Sequence, residues 1–232
     1  MTLGEVPVRQ HTVRGFDTDL ATLVGKVMAM GGLVERQLGA TIEALSRGDT
    51  AAADRVIAED DRVDALEKEI DHLAIRLLAT RQPLAIDLRM VTMAFKITNE
   101  LERMGDYAAN IAKRVKRITA PDRVAAFAGI PIMAEVCHGM LKDVLDAFIE
   151  RDDAKARAVW ERDAEVDRHY DRLFRELLAS TLVDHKLNAT CVDLLFVVKN
   201  LERIGDHATN IAEKVHYMVR GEELQRARSN VP

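Results

Sequence analysis

One internal repeat constrains this chain more than any other feature. The segment Leu101–Val115, LERMGDYAANIAKRV, returns as Leu201–Val215, LERIGDHATNIAEKV, with ten of fifteen positions identical at an offset of 100 residues. A weaker match lies upstream at an offset of 103, pairing Ala44, Asp49, Ala51, Val56, Asp60, Val63 and Asp64 with Ala147, Asp152, Ala154, Val159, Asp163, Val166 and Asp167. A repeat of this kind marks one structural unit used twice. The change of offset places a three-residue deletion in the second copy, near Val183-Asp184, opposite Arg81-Gln82-Pro83 of the first. The copies meet near Thr119-Ala120-Pro121-Asp122.

Each copy reads as three helices: 16–47, 51–80 and 84–118, then 124–151, 154–181 and 186–220. In the second helix Val56, Val63, Leu66, Ile70, Leu73 and Leu77 keep helical spacing along one stripe. No segment alternates as a strand would. Pro83 and Pro121 cannot continue a helix, and Gly48-Asp49-Thr50 and Asp152-Asp153 punctuate the other breaks. Aromatic residues make up only 4% of a chain that is 48% hydrophobic, a balance that suits long helices around an aliphatic core. The expected fold is all-α, a tandem duplication of a three-helix bundle with six long antiparallel helices. Its units are 16–120 and 121–221, flanked by apolar-poor, flexible ends at 1–15 and 222–232.

Composition narrows the function. A formal net charge of −5 argues against the basic surface that non-specific nucleic-acid binding needs. No signal peptide opens the chain, and its longest strongly apolar run, Leu194–Val198, is far below the ~20 residues that span a bilayer. Cys137 and Cys191 form no Cys-x-x-Cys motif, which fits a reducing compartment and hence the cytoplasm.

The residues that carry chemistry are acidic pairs. Glu102 with Asp106, repeated as Glu202 with Asp206, stand at i, i+4, so both carboxylates share a helix face with about 6 Å between Cβ atoms. Asp60 with Asp64 and Asp163 with Asp167 keep the same spacing on the second helices. Like charges so placed repel, and a hard cation reverses the sign, which suits Mg, Mn or Fe. At ~100° per residue Glu202 and Asp206 fall about 100° and 140° from Leu201, beside the apolar stripe. The expected sites are therefore on the bundle surface, open to solvent. A solvated face is the bland account of any one such pair, but four pairs at equivalent places favour a metal.

Other features receive a structural reading. Gly105 and Gly205 cost a helix about 1 kcal/mol each against Ala and suggest close helix approach. Arg103 and Arg203 balance the carboxylates or meet an anion or acidic partner, Asn110 and Asn210 continue the acidic stripe as carbonyl ligands or as outer-shell hydrogen-bonding groups, and His207 replaces Tyr107 and so is no required ligand. Glu-x-x-His occurs three times, at Glu69/His72, Glu135/His138 and Glu213/His216, but at non-equivalent places, unlike a ferritin-like di-iron bundle. Walker A, Gly-x-Ser-x-Gly and His-Glu-x-x-His motifs are absent, so an enzyme is not expected.

The elements NELERMGDYAANIA and KNLERIGDHATNIA resemble the signature of the PhoU family of phosphate-specific transport accessory proteins. The resemblance spans nearly the whole chain. It implies metal ions (Fe, Mn, Mg or Zn) held at Asp60, Asp64, Glu102, Asp106, Asp163, Asp167, Glu202 and Asp206. It also implies a negative regulator of phosphate uptake and of the phosphate regulon, linking a phosphate ABC transporter's ATPase subunit to a sensor histidine kinase. A homodimer that does not insert into the membrane is expected. Asn200 departs from Glu100 of the first copy, so a ligand role for Glu100 would make the two sites unequal. The competing class is a metal-dependent enzyme or iron-storage bundle using the same carboxylates.

Overall fold

The computed structural model describes residues 8–224. Among them, α1 spans Val8–Arg47, α2 Thr50–Arg81, α3 Ala85–Val115, α4 Ile130–Glu150, α5 Asp153–Glu161, α6 Asp163–Val183 and α7 Asn188–Arg220. The helices α5 and α6 are halves of one long helix broken at Arg162, so the architecture is the expected six-helix duplication, with no strand among the described residues.

The local chemistry of the repeat is visible at the helix starts. Asp49 accepts a hydrogen bond from the Ala52 N–H (2.9 Å) and caps α2; Asp152 accepts from Ala154 and Lys155 (2.9 and 3.0 Å) and caps α5. The turn before each cap needs a left-handed residue. Gly48 supplies it in the first half at φ 64°, whereas Arg151 is forced to φ 55° in the second.

Several expected boundaries move. The first helix begins at Val8, so residues 8–15 of the anticipated loose end are helical; residues 1–7 and 225–232 lie outside the described residues. The second half starts late: Pro121–Arg123 and Ala125–Gly129 form two 3₁₀ turns before α4, where a helix from 124 was expected. The break in the fifth helix was not foreseen either. There Arg162 leaves the helical row and its guanidinium reaches α4, 2.9 Å from Asp143 and 3.4 Å from the Val136 carbonyl. At the matching position Glu59 has no such tether across the bundle, and α2 runs straight through.

The third helices, α3 and α7, form the spine. Each packs against the other two helices of its half, and the two lie against each other to join the bundles, with α1 and α4 meeting alongside. Small buried residues line both: Gly105, Ala108, Ala109 and Ala112 on α3, and Gly205, Ala208 and Ala212 on α7, the two glycines facing the second helix of their own half. The core is aliphatic and sulfur-bearing, with Phe148 its largest fully buried side chain. Polar groups stitch the spine. Glu100 on α3 meets His207 Nδ1 (2.6 Å), Asn210 Nδ2 (3.1 Å) and Lys214 Nζ (2.8 Å) on α7, and Arg114 meets Asp193 at 2.8 Å.

Candidate metal centre

In the first half, α2 presents Asp60 and Asp64 to α3, which carries Glu102 and Asp106. Gly105 sets the spacing. A Cβ there would stand 3.3 Å from each of Asp60 Oδ1, Gln37 Oε1 and Val63 Cγ1, so the bare backbone admits both neighbouring helices. This bears out the close-approach reading of the glycine. Burial raises the Asp60 carboxyl above the ordinary carboxylate range, and the charges of Asp106 and Asp64 raise it further. Burial likewise raises Glu102, followed by Asp106, Glu67 and Asp64. Across the helix boundary Asp60 is acted on by Asp106 and Glu102 by Asp64, so all four first-half residues share one neighbourhood.

The acidic stripe is longer than the pairs. Asp60, Asp64, Glu67 and Asp71 follow one another by a helical turn along α2. Burial and then Asp71 and Asp64 raise Glu67; burial raises Asp71, whose Oδ1 is enclosed without a hydrogen-bond partner. Sequence reasoning missed Glu67 and Asp71, although the i, i+4, i+7, i+11 spacing was there to find them. It also missed Gln37, fully buried on α1, whose Nε2 donates weakly to Asp60 Oδ1 (3.5 Å) and whose Oε1 has no partner.

The second half repeats the arrangement incompletely. Asp206 is pushed up to about 6 by burial, then by Glu202 and Asp163, which places these three together. Asp167 lies exposed one turn further along α6 and is not among the principal charges acting on Asp206. The ammonium of Lys199 sits 2.6 Å from both carboxylate oxygens of Glu202 and 5.0 Å above the Tyr170 ring. Arg203 adds Nη1 at 3.5 Å from Asp206, as Arg103 does at 4.0 Å from Asp106, in keeping with the balancing role expected of both arginines.

Neither face is as open as the helical-wheel position implied. The side chains of Glu102 and Glu202 are 23% and 15% exposed, because the adjacent second helix covers them. Nor is Glu100 a ligand candidate. It faces the spine, where burial alone would raise it but hydrogen bonds from His207, Lys214 and Asn210 bring it down to about 2. Asn210 is spent on that contact, and Asn110 accepts from Lys113 (3.2 Å). Of the Glu-x-x-His residues, Glu69 meets Lys26, His72 the Lys68 carbonyl, His138 Glu35 and Glu213 Trp160, while His216 Nδ1 stands 3.8 Å from Asp153 without a hydrogen bond.

Does a metal fit? Among the described residues no three His, Cys, Asp or Glu side chains converge on one point as a finished coordination shell. The donors are adjacent but not assembled. Their chemistry is nonetheless that of a hard-cation site: carboxylates whose repulsion a cation relieves, and in the first half a buried amide oxygen with nothing to bond. No soft ligand competes, since the thiol of the fully buried Cys137 is pushed up to about 12 by burial and donates to the Leu201 carbonyl (3.3 Å).

Comparison with known proteins matches this pattern of repeat. The PhoU domain family model covers residues 27–115 and again 130–215, one match per half. The chain belongs to the PhoU family. It is 48% identical over 220 residues to the phosphate-specific transport system accessory protein PhoU homolog of Caulobacter vibrioides, covering 94% of this chain and 96% of that one. The homolog of Zymomonas mobilis is 45% identical over 214 residues, covering 92% and 90%. Among solved structures, PhoU from Pseudomonas aeruginosa superposes with a TM-score of 0.86 at 35% identity, covering 89% of this chain and all (100%) of that one. PhoU from Streptococcus pneumoniae gives 0.84 at 29% identity, covering 91% and 100%. The duplicated three-helix architecture is thus that of the PhoU family.

Proposed function

We propose that this PhoU-family chain is a metal-bearing accessory regulator that restrains phosphate uptake and phosphate-regulon signalling when phosphate is plentiful. The observation that carries the reading is its similarity, end to end, to relatives named as phosphate-specific transport accessory proteins. It would act as an adaptor between the ATPase subunit of a phosphate ABC transporter and a sensor histidine kinase, as a homodimer at the cytoplasmic face. No described helix is long and apolar enough to cross a membrane, which is in keeping with docking onto membrane partners from outside the bilayer.

The acidic faces supply the chemistry. A di- or trivalent ion bound there would neutralise carboxylates that now repel across the α2–α3 boundary, and so couple metal occupancy to how the helices sit. Asp60, Asp64, Glu102 and Asp106 would hold it in the first half; Asp163, Glu202 and Asp206 stand at the equivalent places of the second, with Asp167 at their edge and the Lys199 ammonium already on Glu202. Iron storage gains no support from the Glu-x-x-His motifs, which stand at non-equivalent places in the two halves.

The test is genetic and direct. Deleting the gene should raise phosphate uptake and reporter expression from a phosphate-starvation promoter in high-phosphate medium. Wild type supplied in trans should restore repression. A deletion strain whose uptake and reporter still respond normally to phosphate would overturn the regulator.

A further inference from the structure

Because the chain is a duplication, each half serves as a control for the other. Four positions around the acidic faces have changed between them. Gln37 on α1 corresponds to Met140 on α4, Glu67 and Asp71 on α2 to Tyr170 and Phe174 on α6, and Asn99 on α3 to Lys199 on α7. Each of these four changes removes an oxygen donor from the second half, and the last one adds a cation; in the other direction Lys113, which attracts Asp60, becomes Glu213. The packing scaffold has not changed: Gly105 and Gly205 both face the valine of the facing second helix, Val63 and Val166.

We infer that the two faces are unequal in metal binding. The first-half face, formed by Asp60, Asp64, Glu102 and Asp106 with the Gln37 amide oxygen as a further ligand, takes a hard di- or trivalent cation, whereas the second-half face carries Lys199 as its built-in counter-ion and takes none. This rests on the metal-bearing reading above and goes beyond it in assigning the occupied half and one more ligand.

Gln37 is the observation independent of the acidic cluster. It is fully buried, its Oε1 has no hydrogen-bond partner, and that oxygen and Asp60 Oδ1 both lie where a Cβ on Gly105 would be. Buried amide oxygens are almost always bonded, so an unpaired one needs an explanation. Its amide nitrogen already touches Asp60, so a half-turn of the amide plane presents the oxygen to any ion that Asp60 holds. Lys113 attracts Asp60 from a distance, but its ammonium is bonded to Asn110. Among the described residues the first face therefore has no ammonium on a carboxylate oxygen, and its near cation is the Arg103 guanidinium, 3.6 Å from Glu102 and 4.0 Å from Asp106.

The second face differs in its amide and in its cation, although its Glu202 Oε2 is likewise buried and accepts no hydrogen bond, only the ion pair. The thioether of Met140, buried at 0% exposure, is a soft donor that a hard cation does not seek. The Lys199 ammonium contacts both oxygens of Glu202 at 2.6 Å and is steadied over Tyr170. An entering cation would first have to displace it.

The experiment titrates the full-length chain, stripped by chelator dialysis, with MnCl2, reading free Mn2+ by electron paramagnetic resonance. Isosteric variants keep the fold, and circular dichroism checks each one. Glu102→Gln/Asp106→Asn should weaken binding more than tenfold, and Glu202→Gln/Asp206→Asn should leave it as in wild type. Gln37→Met should weaken binding on the order of tenfold, the cost of losing a supporting group. Lys199→Asn should add a second class of bound Mn2+. Equal losses from the two double variants, or no gain of stoichiometry with Lys199→Asn, would overturn the asymmetry while leaving a metal protein. A folded wild-type chain that binds no Mn2+ would overturn the metal reading and this inference with it.

Discussion

The two halves share a skeleton and differ in what they show to solvent. In both, an aspartate caps the second helix, a glycine lets that helix close on the third, and an arginine spans the acidic pair. In the first half the second helix then continues as a carboxylate row through Glu67 and Asp71. In the second half the same row becomes Tyr170 and Phe174, and the helix stays apolar through Leu178 and Leu182, the last of them 81% exposed. The difference teaches which constraints are steric and which electrostatic. A residue that sets how closely two backbones approach has no substitute, whereas a surface charge is free to change once its counter-charge changes too.

The largest predicted effect concerns a carboxylate of the spine that has no counterpart. Glu100 serves the spine, and Asn200 stands at its place in the other half. Replacing Glu100 by Gln leaves Lys214 half-buried without its partner and should cost about 2–4 kcal/mol at neutral pH. Since the fold lowers Glu100 to about 2 from an ordinary 4.5, this stabilisation is present above about pH 4.5 and is lost as pH falls towards 2. Urea melts of wild type and variant should therefore converge in acid; parallel curves at every pH would refute the account.

A smaller effect tests the turn that precedes each cap. Arg151→Gly should stabilise the protein by roughly 0.5–1 kcal/mol, because it relieves a side chain held at φ 55°. The reciprocal Gly48→Arg should destabilise by a similar amount, and a thermal melt with opposite shifts for the two variants is the expected result. Smallest is Asp206→Asn. The fold raises Asp206 to about 6 from an ordinary 3.8, so the folded chain holds a proton that the unfolded one has lost, and stability falls as pH rises from about 4 to about 6. Without metal at pH 7 the variant should be slightly more stable than wild type. The gain should stay under about 1 kcal/mol, since a side chain 39% exposed is screened by water. A loss of stability would show that Asp206 makes a favourable contact as an anion.

How much of this was legible beforehand depends on the kind of information each residue carries. The six-helix duplication was readable because periodic apolar residues and an internal repeat are one-dimensional signals. The pairing of Asp60 and Asp64 with Glu102 and Asp106 followed from the repeat once antiparallel neighbours were assumed. The break at Arg162 was not readable, since its tether to Asp143 joins residues 19 apart across a turn. Gln37 escaped because a lone glutamine in an amphipathic helix looks like any surface residue until a neighbouring helix covers it.

By itself the amino-acid order determined the helices, their number, the duplication and the family, all of which depend on spacing along one chain. Only the tertiary structure decided that Glu67 and Asp71 extend the first face, that Glu100 belongs to the spine and not to a metal face, and that Lys199 rests on Glu202. The reason is physical. Helix formation is governed by neighbours three and four residues away, whereas the field at a carboxylate is set by whatever charge, amide or ring another helix brings within a few ångströms of it.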